Sequence, residues 1–176
     1  LAYIPTQENA FFYAIQEDYK KTGVYKRNPG RWNMGIEMSS LAQNILNNLE
    51  SQPKPGGFLK AFDPLTGETK WSVPIPHYWN GGVLGTEGGL VFQGDALGMF
   101  SAYDKETGER LWEFNTYTSM LAPPITYEVD GEQYVSILTG SGGGDMFGGE
   151  PLPPIEVQES LKYNNFGRLL VFKLGG

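Results

Sequence analysis

"AFDPLTGETKWSV", residues 61–73, returns as "AYDKETGERLWEF", residues 102–114. Ala, Asp, Thr-Gly and Trp recur at the same offsets: Ala61 to Ala102 and Trp71 to Trp112 are both separations of 41 residues. That period is the length of one β-propeller blade. A matching strand precedes each copy, "GGFLKAFD" and "LGMFSAYD", and alternation puts Phe58 and Lys60 on one face, Leu59 and Ala61 on the other. The chain then turns at Asp-x-x-Thr-Gly, where glycine suits a left-handed position and the Asp side chain accepts from backbone N–H groups. Each repeat reads as strand, turn, strand.

Beyond each Trp an extended segment leads to a further glycine-bounded pair of strands. In "GGVLGTEGGLVFQGDALGMFSAYD" these are Val83-Leu84 and Leu90 to Phe92, with turns at Gly88-Gly89 and at Asp95 to Gly98. In "LAPPITYEVDGEQYVSILTGSGGG" the hairpin signal is Asp130-Gly131. A partial third copy, "GRLLVFKLGG" from Gly167, aligns with the strands starting at Gly57 and Gly98 but reaches no Asp turn or Trp.

The rest of the composition agrees with many short strands. Among 176 residues, 24 are Gly and 12 Pro, and 14% are aromatic, which points to an all-β class. One segment departs from it: "MSSLAQNILNNLESQ", residues 38–52, carries Leu41, Ile45, Leu46 and Leu49 at helical spacing and is expected to form one short helix. A net charge of -7 with no basic cluster argues against nucleic acid. No apolar run is long enough to cross a bilayer as a helix. The absence of cysteine removes disulfides, thiolate zinc sites and haem attachment through C-x-x-C-H, and the lone His77 excludes a multi-histidine cage. Starting at Leu1, the chain reads as a mature or excised segment.

The pattern Ala-x-Asp-x-x-Thr-Gly-x-x-x-Trp, residues 61–71 and 102–112, resembles the tryptophan-docking motif of the eight-bladed quinoprotein dehydrogenases. More specifically, "YIPTQEN", "HYWNGG", "GGLVFQGDALGMFSAYDKETGERLW" and "APPITYEVDGEQYVSILTGSGGG" are similar to the carboxy-terminal part of the alcohol dehydrogenases that use pyrroloquinoline quinone. The resemblance runs from about Tyr3 to Phe172. It implies that these 176 residues are the last blades of an eight-bladed propeller roughly three times as long, with 143–166 as a loop insertion. It further implies a periplasmic enzyme that oxidises a small alcohol and passes electrons to a cytochrome or other acceptor. The other class that the residues allow is a non-catalytic propeller scaffold that binds protein.

Within that resemblance Trp71 and Trp112 tie blades together, each a flat side chain with one N–H donor for a neighbouring carbonyl. Cofactor contact falls on "HYWNGG". A flat tricyclic quinone asks for close backbone approach and a polar group on an oxygen, and Trp79, Asn80 and Gly81 supply those types. Taken alone, the same residues also read as a glycine-rich turn opening a strand. Gly143 and Gly144 in "GSGGGDMFGG" are the second candidate, with Ser141 where relatives often carry an aromatic. In "PTQEN", Glu8 or Asn9 faces the cofactor, or the segment is a surface loop. Trp32 reads as packing or as a substrate or cofactor contact, and His77 receives no role. The family's Asp base, the carboxylates for calcium or a lanthanide and the vicinal cysteines have no matching positions here. Asp63, Asp104 and Asp130 are accounted for by turns, so no catalytic or metal-ligating residue is assigned. The chain is also expected to need the remaining blades, or to self-associate.

Overall fold

A computed structural model describes residues 1–8, 14–27, 29, 33, 35, 56–76, 80–140 and 167–174. The chain divides into two compact units, Leu1–Glu8 with Pro55–Gly176, and Asn9–Lys54. The expected helix over 38–52, the insertion 143–166 and Trp32 lie outside the described residues.

In the second unit a six-residue helix, α1 (Glu17–Thr22), carries Glu17 and Asp18 in its first turn and Lys20 and Lys21 in its last. That order complements the helix dipole. Gly23 ends it in the left-handed conformation, φ 66°, donating its N–H to the Tyr19 carbonyl. No expectation covered this helix, although "EDYKKTG" holds both the charge order and the stop.

The first unit is built of antiparallel sheets. Sheet one joins β1 (Ala2–Glu8), β2 (Gly56–Asp63) and β3 (Glu68–Ile75) in that order. Sheet two is a complete four-stranded meander of β4 (Asn80–Gly85), β5 (Leu90–Asp95), β6 (Met99–Asp104) and β7 (Arg110–Asn115). Sheet three is ordered β10-β9-β8, from β8 (Ile125–Val129), β9 (Glu132–Thr139) and β10 (Arg168–Lys173).

The 41-residue repeat survives at the level of single pairs. Ala61 lies opposite Trp71 and Ala102 opposite Trp112, and in both hairpins the register shifts immediately after the alanine. The turns repeat as well. Asp63 Oδ1 accepts the Leu65 N–H at 2.9 Å, and Asp104 Oδ1 accepts from Glu106 and Thr107 at 2.9 and 2.8 Å. Gly67 and Gly108 close the two turns at φ 78° and 75°. Asp130 and Gly131 both have positive φ, as a two-residue hairpin of type I′ requires.

Two cores fill the spaces between sheets. Leu59, Ala61, Trp71 and Ile75 of sheet one pack against Val91 and Tyr103 of sheet two. Phe92, Phe100 and Ala102 of sheet two pack against Val135, Ile137, Leu170 and Phe172 of sheet three. One repeated position follows the progression: Ala61 is 0% exposed, Ala102 3%, and Val171, the aligned residue of β10, 48%. With Leu138 and Leu169 also exposed, sheet three presents an apolar face of the kind its two predecessors cover.

Trp71 spans the first gap. Its indole N–H donates to the Lys105 carbonyl at 3.0 Å, within the turn of sheet two. The Tyr3 hydroxyl donates to the same oxygen at 3.1 Å, and the two rings stack with centroids 5.8 Å apart. Gly108 lies against the indole, since a Cβ there would stand 2.8 Å from its ring atoms; at Gly67 nothing lies within 4 Å. Trp112 packs edge-on against Phe100 and Phe172 but stays 39% exposed. Gly67→Ala is therefore expected to cost about 1–2 kcal/mol from backbone strain alone. Gly108→Ala adds a clash worth about 1–3 kcal/mol more. Denaturant unfolding of both variants measures the difference, and equal losses would remove the indole contact from the account.

Candidate functional site

Strand direction sorts the loops of the first unit to two ends. The turns Asp63–Gly67, Thr86–Gly89, Asp104–Gly108 and Asp130–Gly131 share one end, where Lys105 donates its N–H to the Gly89 carbonyl. The start of β4 at Asn80 lies at the other, together with the Asp95–Gly98 turn, the crossover 116–124 and the close of β9 at Gly140. Asn80 is half-buried and sits opposite Asp95.

The crossover from β7 to β8 is strapped across this second end. Thr116 donates its N–H to the Gly98 carbonyl at 2.8 Å, Ser119 donates its hydroxyl to Ala96 at 2.8 Å, and Met120 donates its N–H to Asp95 at 3.0 Å. Met120 forms a parallel bridge with Gly140, and Arg168 donates to the Thr116 carbonyl and to Thr118 Oγ1. Held this way, residues 120–123 run directly over the opening of β4. A Cβ on Gly81 would lie 2.7 Å from the Gly94 carbonyl and 2.9 Å from that of Met120, and one on Gly82 would lie 2.7 Å from Pro123. The lack of a side chain at Gly81 thus makes room for this chain's own backbone. No sequence signal foretold that contact, because it joins residues about forty positions apart.

Between Asn80 and Val83 the pairing with β5 slips, so that Gly81 and Gly82 together face Gly94. The Gly81 carbonyl is taken up by the buried side chain of Gln93, whose Nε2 donates at 3.1 Å.

Trp79, Gly143, Gly144, His77, Ser141 and Asn9 lie outside the described residues. What the structure brings together is Gly81 with Met120, and through the bridge with Gly140, while Asn80 pairs with Asp95. Glu8, at the same end of sheet one, forms an exposed ion pair with Lys60 at 3.2 Å.

The acids divide by end. Backbone N–H groups, of Leu65 for Asp63 and of Thr107 and Glu106 for Asp104, hold these two half-buried turn carboxyls below the usual range. Burial pushes Asp95 up, against the opposing pull of the N–H groups of Met99 and Leu97. Among the described residues no group of three His, Cys, Asp or Glu side chains is placed to hold a metal ion. Among the described residues the polar side chains at the Asn80 end of sheets two and three include the Asn80 amide, the Thr118 and Ser119 hydroxyls, the Arg168 guanidinium and one carboxyl, Asp95. Amide and hydroxyl donors suit the oxygens of a quinone, and a single carboxyl does not make the set of several oxygen ligands that a hard cation needs.

The chain is similar to several known proteins. The family described as glucose/ethanol/alcohol dehydrogenase, beta-propeller domain, matches residues 73–135. The chain is 45% identical over 123 residues to quinohemoprotein alcohol dehydrogenase ADH IIB of Pseudomonas putida, covering 68% of this chain and 17% of that protein. It is 36% identical to ADH-IIG of the same organism over 100% of this chain and 23% of that one. The solved ADH-IIG structure superposes on 78% of this chain and 20% of its own, with TM-score 0.63 and 37% identity. A europium-containing methanol dehydrogenase superposes on 67% of this chain and 23% of its own, with TM-score 0.54 and 26% identity. The chain spans about one fifth of the length of the curated relatives it matches.

Asp95 supplies a pH test of the Asn80 end. Because its folded pKa is raised, the folded state binds the proton more tightly than the unfolded chain does, and stability falls as pH rises out of the ordinary carboxylate range. Asp95→Asn retains an oxygen for the Leu97 and Met99 N–H groups and removes the buried charge. At pH 7 the variant is expected to exceed the parent in stability, with the advantage shrinking as pH falls toward the ordinary carboxylate range and gone below about pH 4. A gap that does not vary with pH would contradict the assignment.

Proposed function

Because the chain belongs to the β-propeller family of the pyrroloquinoline-quinone-dependent alcohol dehydrogenases, we propose that it supplies the carboxy-terminal blades of a periplasmic enzyme oxidising small alcohols. The observation that carries this reading is the convergence at one end of the sheets. Gly81 and Gly82 meet the crossover there, Asn80 pairs with Asp95, whose carbonyl takes the Met120 N–H, and the crossover in turn bridges to Gly140 at the end of β9.

In this proposal Asn80 donates its amide to an oxygen of the quinone and Trp79 offers a flat wall. Gly81 holds the strand start close to the crossover, and Gly143 and Gly144 close the site from the following sheet. Pyrroloquinoline quinone, when bound, supplies the hydride acceptor. Calcium or a lanthanide takes its ligands from blades outside this chain, as does the base; the europium of one relative supports that class of ion. A cytochrome or similar acceptor takes the electrons, in keeping with relatives that are quinohemoproteins. The uncovered face of sheet three receives the remaining blades, or in their absence another copy of the chain.

The test compares the 176 residues alone with a complete propeller in which they replace the matching segment of the ADH-IIG chain. With quinone and calcium, the isolated chain is expected to show no dye-linked alcohol oxidation and the complete propeller to turn over. In the latter, Asn80→Ala should weaken quinone binding by about 1 kcal/mol with the fold unchanged. Quinone bound as tightly by Asn80→Ala and Trp79→Ala as by the parent would refute the assignment, and turnover by the isolated chain would refute the placing of metal and base elsewhere.

A further inference from the structure

Gln93 is 2% exposed in the middle of β5, a place where a strand normally buries an apolar side chain. Its amide is only half used. Nε2 donates to the Gly81 carbonyl at 3.1 Å, and Oε1, equally buried, has no hydrogen-bond partner among the described residues. A buried acceptor left unpaired is destabilising, and an apolar side chain of the same length would avoid it. The bulge explains why the amide is there. With Asn80 opposite Asp95 and Val83 opposite Gln93, β4 has one residue more than β5 over this stretch, and the Gly81 carbonyl is held by the side chain of Gln93. Gly81 has no room to relax on its other side, where Gly94, Met120 and Ala122 carbonyls crowd the position of a Cβ. The course of β4 from Val83 back to Asn80 is therefore held by this hydrogen bond and that packing together with the pairing of Asn80 and Asp95.

We propose that Gln93 is a positioning residue: by holding the Gly81 carbonyl in the bulge it fixes the orientation of Asn80 toward the quinone. This rests on the cofactor reading of Asn80 given above. Gln93 itself touches neither cofactor nor substrate, and its whole effect on quinone affinity passes through its neighbour.

A double-mutant cycle in the complete propeller carrying these residues separates that role from simple packing. Quinone affinity is measured by equilibrium titration, without turnover, for the parent, Asn80→Ala, Gln93→Met and the double variant, each checked for an unchanged circular-dichroism spectrum. Gln93→Met keeps the length and removes the donor; should it not fold, Gln93→Leu, apolar and smaller, takes its place. The expected result is a loss of about threefold to tenfold for Gln93→Met, the range of one neutral hydrogen bond, with the double variant no weaker than Asn80→Ala alone. If Asn80→Ala weakens binding while Gln93→Met does not, or weakens it equally in both backgrounds, the positioning role is wrong. If Asn80→Ala has no effect at all, the cofactor reading of Asn80 is what fails, and the role of Gln93 falls with it.

Discussion

The bond from the Trp71 indole to the Lys105 carbonyl is the constraint on which the arrangement of the first two sheets depends. Hydrophobic burial draws Leu59, Ala61 and Val91 together, but it has no direction and leaves the sheets free to slide. A single N–H donor on a large flat ring supplies the direction. Lys105 belongs to a turn already fixed by Asp104 and Gly108, so the bond ties one hairpin to the end of the next rather than to a mobile side chain. Glycine at 108 is required twice over, by its φ of 75° and by the ring lying against it.

That tie leaves a division of labour between the two ends of the sheets. One end is closed by Asp and Gly turns whose hydrogen bonds are local and whose acids face water. The other is closed by long-range contacts, the crossover strapped over Asp95 to Gly98 and pressed onto Gly81 and Gly82. The first end makes the repeat stable irrespective of function. The second gathers a half-buried amide, a bulge and the strand end leading into the glycine-rich segment, and it is there that this chain differs from a plain stack of hairpins.

The sequence made legible what local chemistry dictates. The Asp-x-x-Thr-Gly turns, the Asp130-Gly131 hairpin and the facing of Leu59 and Ala61 follow from φ preferences and a period of two, and all are present. Helix α1 is equally local, but "EDYKKTG" is too short for apolar periodicity to announce it. Of the site, the positions of Asn80 and Gly81 came from resemblance. The crowding of Gly81 by Met120 and Ala122 and the capture of its carbonyl by Gln93 are long-range, and no motif encodes them. Trp112 shows the same limit: its strand pairing repeats that of Trp71, yet its exposure depends on what covers it.

In the proposed function the cofactor meets this chain at the Asn80 end of the sheets. Hydrogen–deuterium exchange of the complete propeller with and without pyrroloquinoline quinone measures that directly. Added protection on binding is expected in peptides spanning 80–83, 93–98, 116–122 and 138–144, and none in those spanning 63–67, 86–89, 104–108 and 130–131. Protection confined to the second group, or spread equally over both ends, would contradict this placement of the cofactor.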